Sequence, residues 1–299
     1  MPESRLPSIL FIGAGNMGRP MATRLLEASY PLAVADTSDA ALAPFRERGV
    51  ACATSGGALP GDVVITMLPT DAHVHEALLG PGGALERGRR VAIDMSSARP
   101  AGTLATAAQL AERGVAMLDA PVSGGVPRAK TGELITMVGG PADVVARYTP
   151  VLEAMCKTVQ RVGESGAGHT MKALNNFLSS VALWASAEAL LVGARAGLDP
   201  KTMVEVWSKG TASSHAVQVK LPLAMLPRTF DYGFSIGLLA KDLHIAGEIA
   251  RGFDLPMPML ASAENQWELA KHELGAQADY TAVLLLLEKW GGFSVPKAD

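Results

Sequence analysis

The first 162 residues alternate short apolar runs with helix-like segments, and this alternation limits the fold more than any other feature. Ser8–Ile12, Leu32–Ala35, Asp62–Met67, Val91–Asp94, Ala116–Asp119, Glu133–Val138 and Thr158–Val162 read as strands. Between them, Met21–Ala28, a Ser38-capped stretch to about Arg48, Thr70–Leu79, Pro100–Arg113 and Pro141–Ala154 carry helical spacing. Apolar strands alternating with helices predict a doubly wound parallel sheet covered on both faces. The pattern changes near residue 165. Thr170–Ala196 has no Pro, and its stop signal is Gly197 with Pro200. Such a helix is roughly 40 Å long. Only helical segments follow, near 200–209, 215–226, 235–252, 257–273 and 279–290. The expectation is a Rossmann-type domain over 1–165 and an all-α domain over 166–299, built on one long central helix.

Composition narrows the function. The chain is 48% hydrophobic, with 26 basic against 29 acidic residues and 5% aromatics. That mixture supports a large core and argues against a nucleic-acid partner held by phosphate contacts or base stacking. Cys52 and Cys156 are the two cysteines, and they form neither a disulfide framework nor a metal spacing. They read as reduced core thiols. The six histidines show no metal-ligand spacing. MPESRLPSILFIG lacks the pattern of a secretory signal. The longest aliphatic run, Ala282–Leu287, is far short of the ~20 residues of a bilayer span. A soluble, cytoplasmic protein with no membrane partner is expected.

Gly13, Ala14, Gly15, Asn16, Met17 and Gly18 match G-x-G-x-x-G, directly after the first strand and before the first helix. Gly13 permits the tight turn, Gly15 lets backbone approach a pyrophosphate, and Gly18 lets helix and strand pack closely. The helix N-terminus offers free N–H groups to phosphate. Asp36 ends the second strand, where a carboxylate accepts from ribose hydroxyls and repels a 2′-phosphate. Thr37 and Ser38 follow, with no Arg at once. NAD is therefore expected over NADP.

Four segments together resemble the β-hydroxyacid dehydrogenase family: FIGAGNMGRPMA (11–22), DAPVSGGVPRAKTGELITMVGG (119–140), GAGHTMKALNNF (166–177) and KDLHIA (241–246). The resemblance implies an active site in the cleft between a Rossmann domain and a helical domain. It also implies NAD(P)-dependent interconversion of a 3-hydroxy acid and its semialdehyde or ketone. It assigns Lys172 as the acid/base, Asn176 as a substrate ligand one helical turn on, and Lys241 as a cofactor contact. Leu68, Pro69 and Ser97 match positions that line the cofactor. Ser123, Gly124 and Gly125 can cradle the substrate carboxylate with a hydroxyl and unobstructed N–H groups. Asp242 reads as structural, holding a helix end or a lysine, and His169 as a packing residue.

On this reading, neutral Lys172 takes the hydroxyl proton during oxidation, and its ammonium returns one during reduction. A free lysine titrates near 10.4, so burial and a nearby cation such as Lys241 are expected to lower it. Alternatives are a tartronate semialdehyde reductase, a threonate-type sugar-acid dehydrogenase, an imine reductase, and a non-catalytic dinucleotide-binding scaffold. The helical half should assemble a homodimer or homotetramer. Arg128 and Lys130, placed in an extended loop, would point to one side and could meet a second anionic end of the substrate.

Overall fold

The computed structural model describes residues 6–87 and 89–298; the first five residues of the stretch read for a leader lie outside them. The chain divides into two compact units, one ending at Lys172 and the other beginning at Ala173.

The first unit runs β1 (Ile9–Ile12), α1 (Gly18–Glu27), β2 (Leu32–Ala35), α2 (Asp39–Arg46), β3 (Ala51–Ala53), β4 (Val63–Thr66), α3 (Asp71–Leu79), β5 (Val91–Asp94), α4 (Pro100–Ala111), β6 (Ala116–Asp119), β7 (Val122–Ser123), α5 (Gly125–Thr131), β8 (Leu134–Gly139), α6 (Ala142–Glu153) and β9 (Cys156–Gly163). Among the described residues the strands form one nine-stranded sheet, ordered β3-β2-β1-β4-β5-β6-β8-β7, with β9 on β8. Every residue of β1, β4 and β5 is buried, as strands covered on both faces require. On one face, α1 buries Gly18, Met21, Ala22 and Leu25, an i, i+3, i+4, i+7 stripe.

The sheet is dominated by parallel pairing, with one departure. β8 runs antiparallel to β6 and β7. The link from β7 to β8 is short, and α5 turns the chain back rather than carrying it across a sheet face. β3, β7 and α5 were not read from the sequence. β3 is three partly exposed residues, and α5 begins Gly-Val-Pro, which reads as a loop. Ser38 does occupy the N-cap of α2, but its side chain makes no capping bond. Cys156 is buried, and burial pushes its thiol up to about 12; half-buried Cys52 is raised by burial as well.

The second unit holds most of α7 (Ala167–Arg195), then α8 (Pro200–Lys209), α9 (Ile236–Gly252), α10 (Pro258–Leu274) and α11 (Val283–Gly291). Residues 216–225 are helical but wound wider than an α-helix: the Leu226 N–H reaches the Leu221 carbonyl, five residues back, at 2.8 Å. Pro222 lies inside this segment and has no N–H to give. The core of this unit gathers Trp184 of α7, Trp267 of α10 and Tyr280; the Trp184 and Trp267 rings meet edge to face at 5.3 Å. α7 is long and apolar enough to cross a membrane, which unbroken aliphatic runs alone do not reveal. Its polar residues Lys172 and Asn176 are buried.

Candidate active site

Parallel registry brings the strand ends into line. Ile12 pairs with Ala35 and with Thr66, and Thr66 pairs with Asp94. The segments that follow β1, β2, β4 and β5 therefore emerge at one carboxyl edge of the sheet. The strand order reverses between β1 and β4, and such a switch point is where α/β sheets bind ligands. Gly13–Gly18, Asp36, Leu68–Pro69 and Ser97 all lie along this edge.

Each glycine of the loop has its own reason. Gly13 adopts φ +98°, and a Cβ there would stand 2.3 Å from the Met67 carbonyl oxygen. A Cβ on Gly18 would stand 1.8 Å from the Gly13 carbonyl oxygen. Gly15 differs, because a Cβ there meets nothing within 4 Å. Packing within the protein does not call for glycine at this exposed position. Room for a pyrophosphate against the backbone does. The first turn of α1 contains no acid, and Met17 at its N-cap makes no side-chain bond, so nothing there competes with an anion. These features fit a dinucleotide.

Asp36 binds the loop itself. Its Oδ2 accepts from the Ala14 N–H at 2.7 Å, and its Oδ1 accepts from the Ser38 N–H at 2.8 Å. Further along the edge, the Leu68 N–H donates to Ser96 Oγ at 2.8 Å, which ties the loop after β4 to the loop after β5. Thr66 and the Ser96 N–H both donate to Asp94 Oδ1.

His169 does more than pack. Its ring is fully buried between Ser96 and α4, with Nδ1 2.7 Å from Thr103 Oγ1 and Nε2 3.1 Å from the Ser96 carbonyl oxygen. Its backbone N–H donates to Asp119 Oδ2 at 2.9 Å, and the Gly166 N–H donates to Asp119 Oδ1 at 2.8 Å. Burial raises the Asp119 pKa, and the facing His169 offsets part of that rise. The start of α7 is thus fastened to β6 and to the loop after β5. A lone histidine beside a glycine-rich stretch gave no sequence signal for this role.

Ser123 ends β7, opposite Ile135, and Gly124 and Gly125 adopt φ +133° and +69° as α5 begins. Arg128 folds back over Gly124, so a Cβ there would stand 2.8 Å from Arg128 Cδ. Arg128 and Lys130 lie on this helix, not in an extended loop. Residues two apart on a helix point to different sides, so the shared direction expected from an extended chain does not hold.

Lys172 and Asn176 stand one turn apart on α7 and are 9% and 7% exposed. Asn176 Nδ2 donates to Asp242 Oδ2 at 2.5 Å, and Asn176 Oδ1 accepts from Asn175 Nδ2 at 3.0 Å. Asp242 is itself buried, with Oδ1 3.4 Å from Lys241 Nζ. Asp242 therefore fixes which end of the Asn176 amide points where, and holds a lysine as its sequence position suggested.

Comparison with known proteins accords with this geometry. Residues 8–163 match the NAD binding domain of 6-phosphogluconate dehydrogenase, and residues 166–287 match the NAD-binding model of NADP-dependent 3-hydroxyisobutyrate dehydrogenase. The chain is 36% identical over 289 residues to 2-(hydroxymethyl)glutarate dehydrogenase of Eubacterium barkeri, covering 95% of this chain and 96% of that protein. It is 37% identical over 286 residues to a 3-hydroxyisobutyrate dehydrogenase of Pseudomonas aeruginosa, covering 90% and 95%. The chain belongs to the β-hydroxyacid dehydrogenase family. A solved structure of Mycobacterium tuberculosis 3-hydroxyisobutyrate dehydrogenase with L-serine superposes with a TM-score of 0.85 at 31% identity, over 94% of this chain and 99% of that one. This β-hydroxyacid dehydrogenase is an NAD-dependent oxidoreductase that interconverts a small hydroxy acid and its semialdehyde or ketone.

Proposed function

We propose that this β-hydroxyacid dehydrogenase oxidises a 3-hydroxyisobutyrate-like acid, with Lys172 as the acid/base. One observation carries the assignment: a lysine of α7 is almost wholly buried, one turn from an asparagine that a buried aspartate holds in place. In oxidation Lys172 Nζ accepts the substrate hydroxyl proton, and in reduction it donates one to the carbonyl oxygen. Asn176 orients that oxygen. Ser123 Oγ with the N–H groups of Gly124 and Gly125 takes the substrate carboxylate. Bound NAD supplies the hydride acceptor. Gly13–Gly18 hold its pyrophosphate, Asp36 its adenosine ribose, and Leu68, Pro69, Ser97 and Lys241 its remaining contacts. His169 acts through Asp119, Ser96 and Thr103, setting the start of the helix that carries Lys172.

The enzyme works in the cytoplasm as a homodimer or homotetramer. Exposed Leu178, Val192 and Leu198 in the helical unit support assembly through that unit. The deciding experiment is NADH production across a panel of hydroxy acids, with NADP run in parallel. Turnover of 3-hydroxyisobutyrate with NAD is expected; no turnover of any 3-hydroxy acid overturns the reading.

A further inference from the structure

One buried group with no part in the mechanism above is Lys220. It lies in the wide-wound 216–225 segment and is 2% exposed. Its surroundings are the hydroxyl of Ser179, which accepts from Nζ at 2.7 Å, and the face of the Tyr280 ring, whose centroid is 4.8 Å from Nζ. Among the described residues no carboxylate lies within ion-pair distance; Asp279 acts on Lys220 only at longer range. An ammonium has three donors, and a buried charge is ordinarily paired. One hydroxyl and one ring leave this cation short of a counter-charge.

Its position relates it to the substrate. Lys172, Asn176 and Ser179 are spaced i, i+4 and i+7, so they form a single stripe on α7. Met171, Leu174 and Leu178 take the opposite, exposed side. Ser179, whose hydroxyl meets the Lys220 ammonium, is itself only half-buried. From Asn176 to Ser179 the helix rises about 4.5 Å. A two-carbon arm ending in a carboxylate spans that step.

We propose that Lys220 and Ser179 form a subsite for a second carboxylate, making 3-hydroxy dicarboxylic acids the preferred substrates. The proposal rests on the assignment of Lys172 and Asn176 to the reacting hydroxyl. Lys220 then occupies the role that an extended loop at Arg128 and Lys130 had suggested for those two residues.

The test compares two acids that share the 3-hydroxy acid core: 3-hydroxyisobutyrate, with a methyl on C2, and 2-(hydroxymethyl)glutarate, with a carboxyethyl arm. Wild-type enzyme is expected to favour the dicarboxylate at least tenfold in kcat/KM. Lys220→Met should raise KM for the dicarboxylate about 10–100-fold, as loss of a charge-assisted contact does, with kcat largely kept. KM for 3-hydroxyisobutyrate should stay within about threefold. Ser179→Ala, which leaves the lysine in place, should shift the same KM in the same direction by less. Equal losses on both acids in either variant, or no dicarboxylate preference in wild type, would overturn the subsite while leaving the Lys172 mechanism standing. Wild-type enzyme inactive on both of these acids would also overturn the subsite, whereas inactivity on every 3-hydroxy acid of the panel would remove the Lys172 mechanism with it.

Discussion

The carboxylate of Asp36 and the N–H of Ala14 meet at 2.7 Å, so the residue expected to read the cofactor's ribose also anchors the loop meant to hold its pyrophosphate. Its second oxygen is engaged with the Ser38 N–H. An ionised carboxylate has about four acceptor sites, so these bonds leave capacity for ribose hydroxyls. Asp36→Ala should therefore do two things at once. KM for NAD should rise about 10–100-fold through loss of charge-assisted bonds, and the preference for NAD over NADP should shrink. Measuring kcat/KM with both cofactors checks this. A variant that still rejects NADP as strongly as wild type would show that discrimination lies elsewhere.

Two glycines of that loop should separate binding from stability. Gly15→Ala places a methyl where no protein atom lies within 4 Å, so the melting temperature should barely move while NAD affinity falls. Gly18→Ala drives a methyl into the Gly13 carbonyl at 1.8 Å, and the fold should loosen with or without cofactor. Thermal melts of both apo variants, paired with NAD titrations, distinguish these outcomes.

Lys172→Ala should reduce turnover by about 10²–10⁴-fold, the usual span for removing a general acid/base. NAD affinity should stay close to wild type. Stopped-flow or steady-state kcat, together with a cofactor titration, decides the matter; a variant retaining most of its turnover excludes Lys172 from proton transfer.

Burial holds the Lys220 pKa at about 8, below the ordinary 10.5, although Asp279 acts in the opposite direction. The sign follows from linkage. A lysine depressed in the folded state contributes its full stability above the unfolded value, and that contribution is lost as pH falls through about 8. At pH 7 the folded protein thus bears the cost of a buried ammonium, up to about 3 kcal/mol at 1.36 kcal/mol per unit. Lys220→Met should therefore gain stability over wild type at pH 7 and gain less near pH 10. Urea midpoints at both values test this. An identical difference at both would mean that the charge is already compensated.

Particular residues show how far the sequence reached. The strand run at 8–12, the glycines at 13, 15 and 18 and the acid at 36 lie within about 30 residues and follow local rules of period and turn chemistry, so they were legible one by one. The i, i+4 spacing of Lys172 and Asn176 was legible for the same reason. β3 and α5 were not, because three partly exposed residues and a Gly-Val-Pro start carry no periodic signal.

What the sequence by itself determined is therefore the alternating architecture of the first unit, the helical character of the second, and the residue types of the dinucleotide loop. These depend on neighbours a few positions apart. The tertiary structure alone decided that Asp242 grips Asn176 across 66 residues, that His169 fastens α7 to Asp119 and Ser96, and that Lys220 comes to rest on Ser179 and Tyr280. A lone lysine in the run AVQVKLPLAM carries no hint of its partner, because burial and hydrogen bonding are fixed by which elements pack together, not by the residues beside it in the chain.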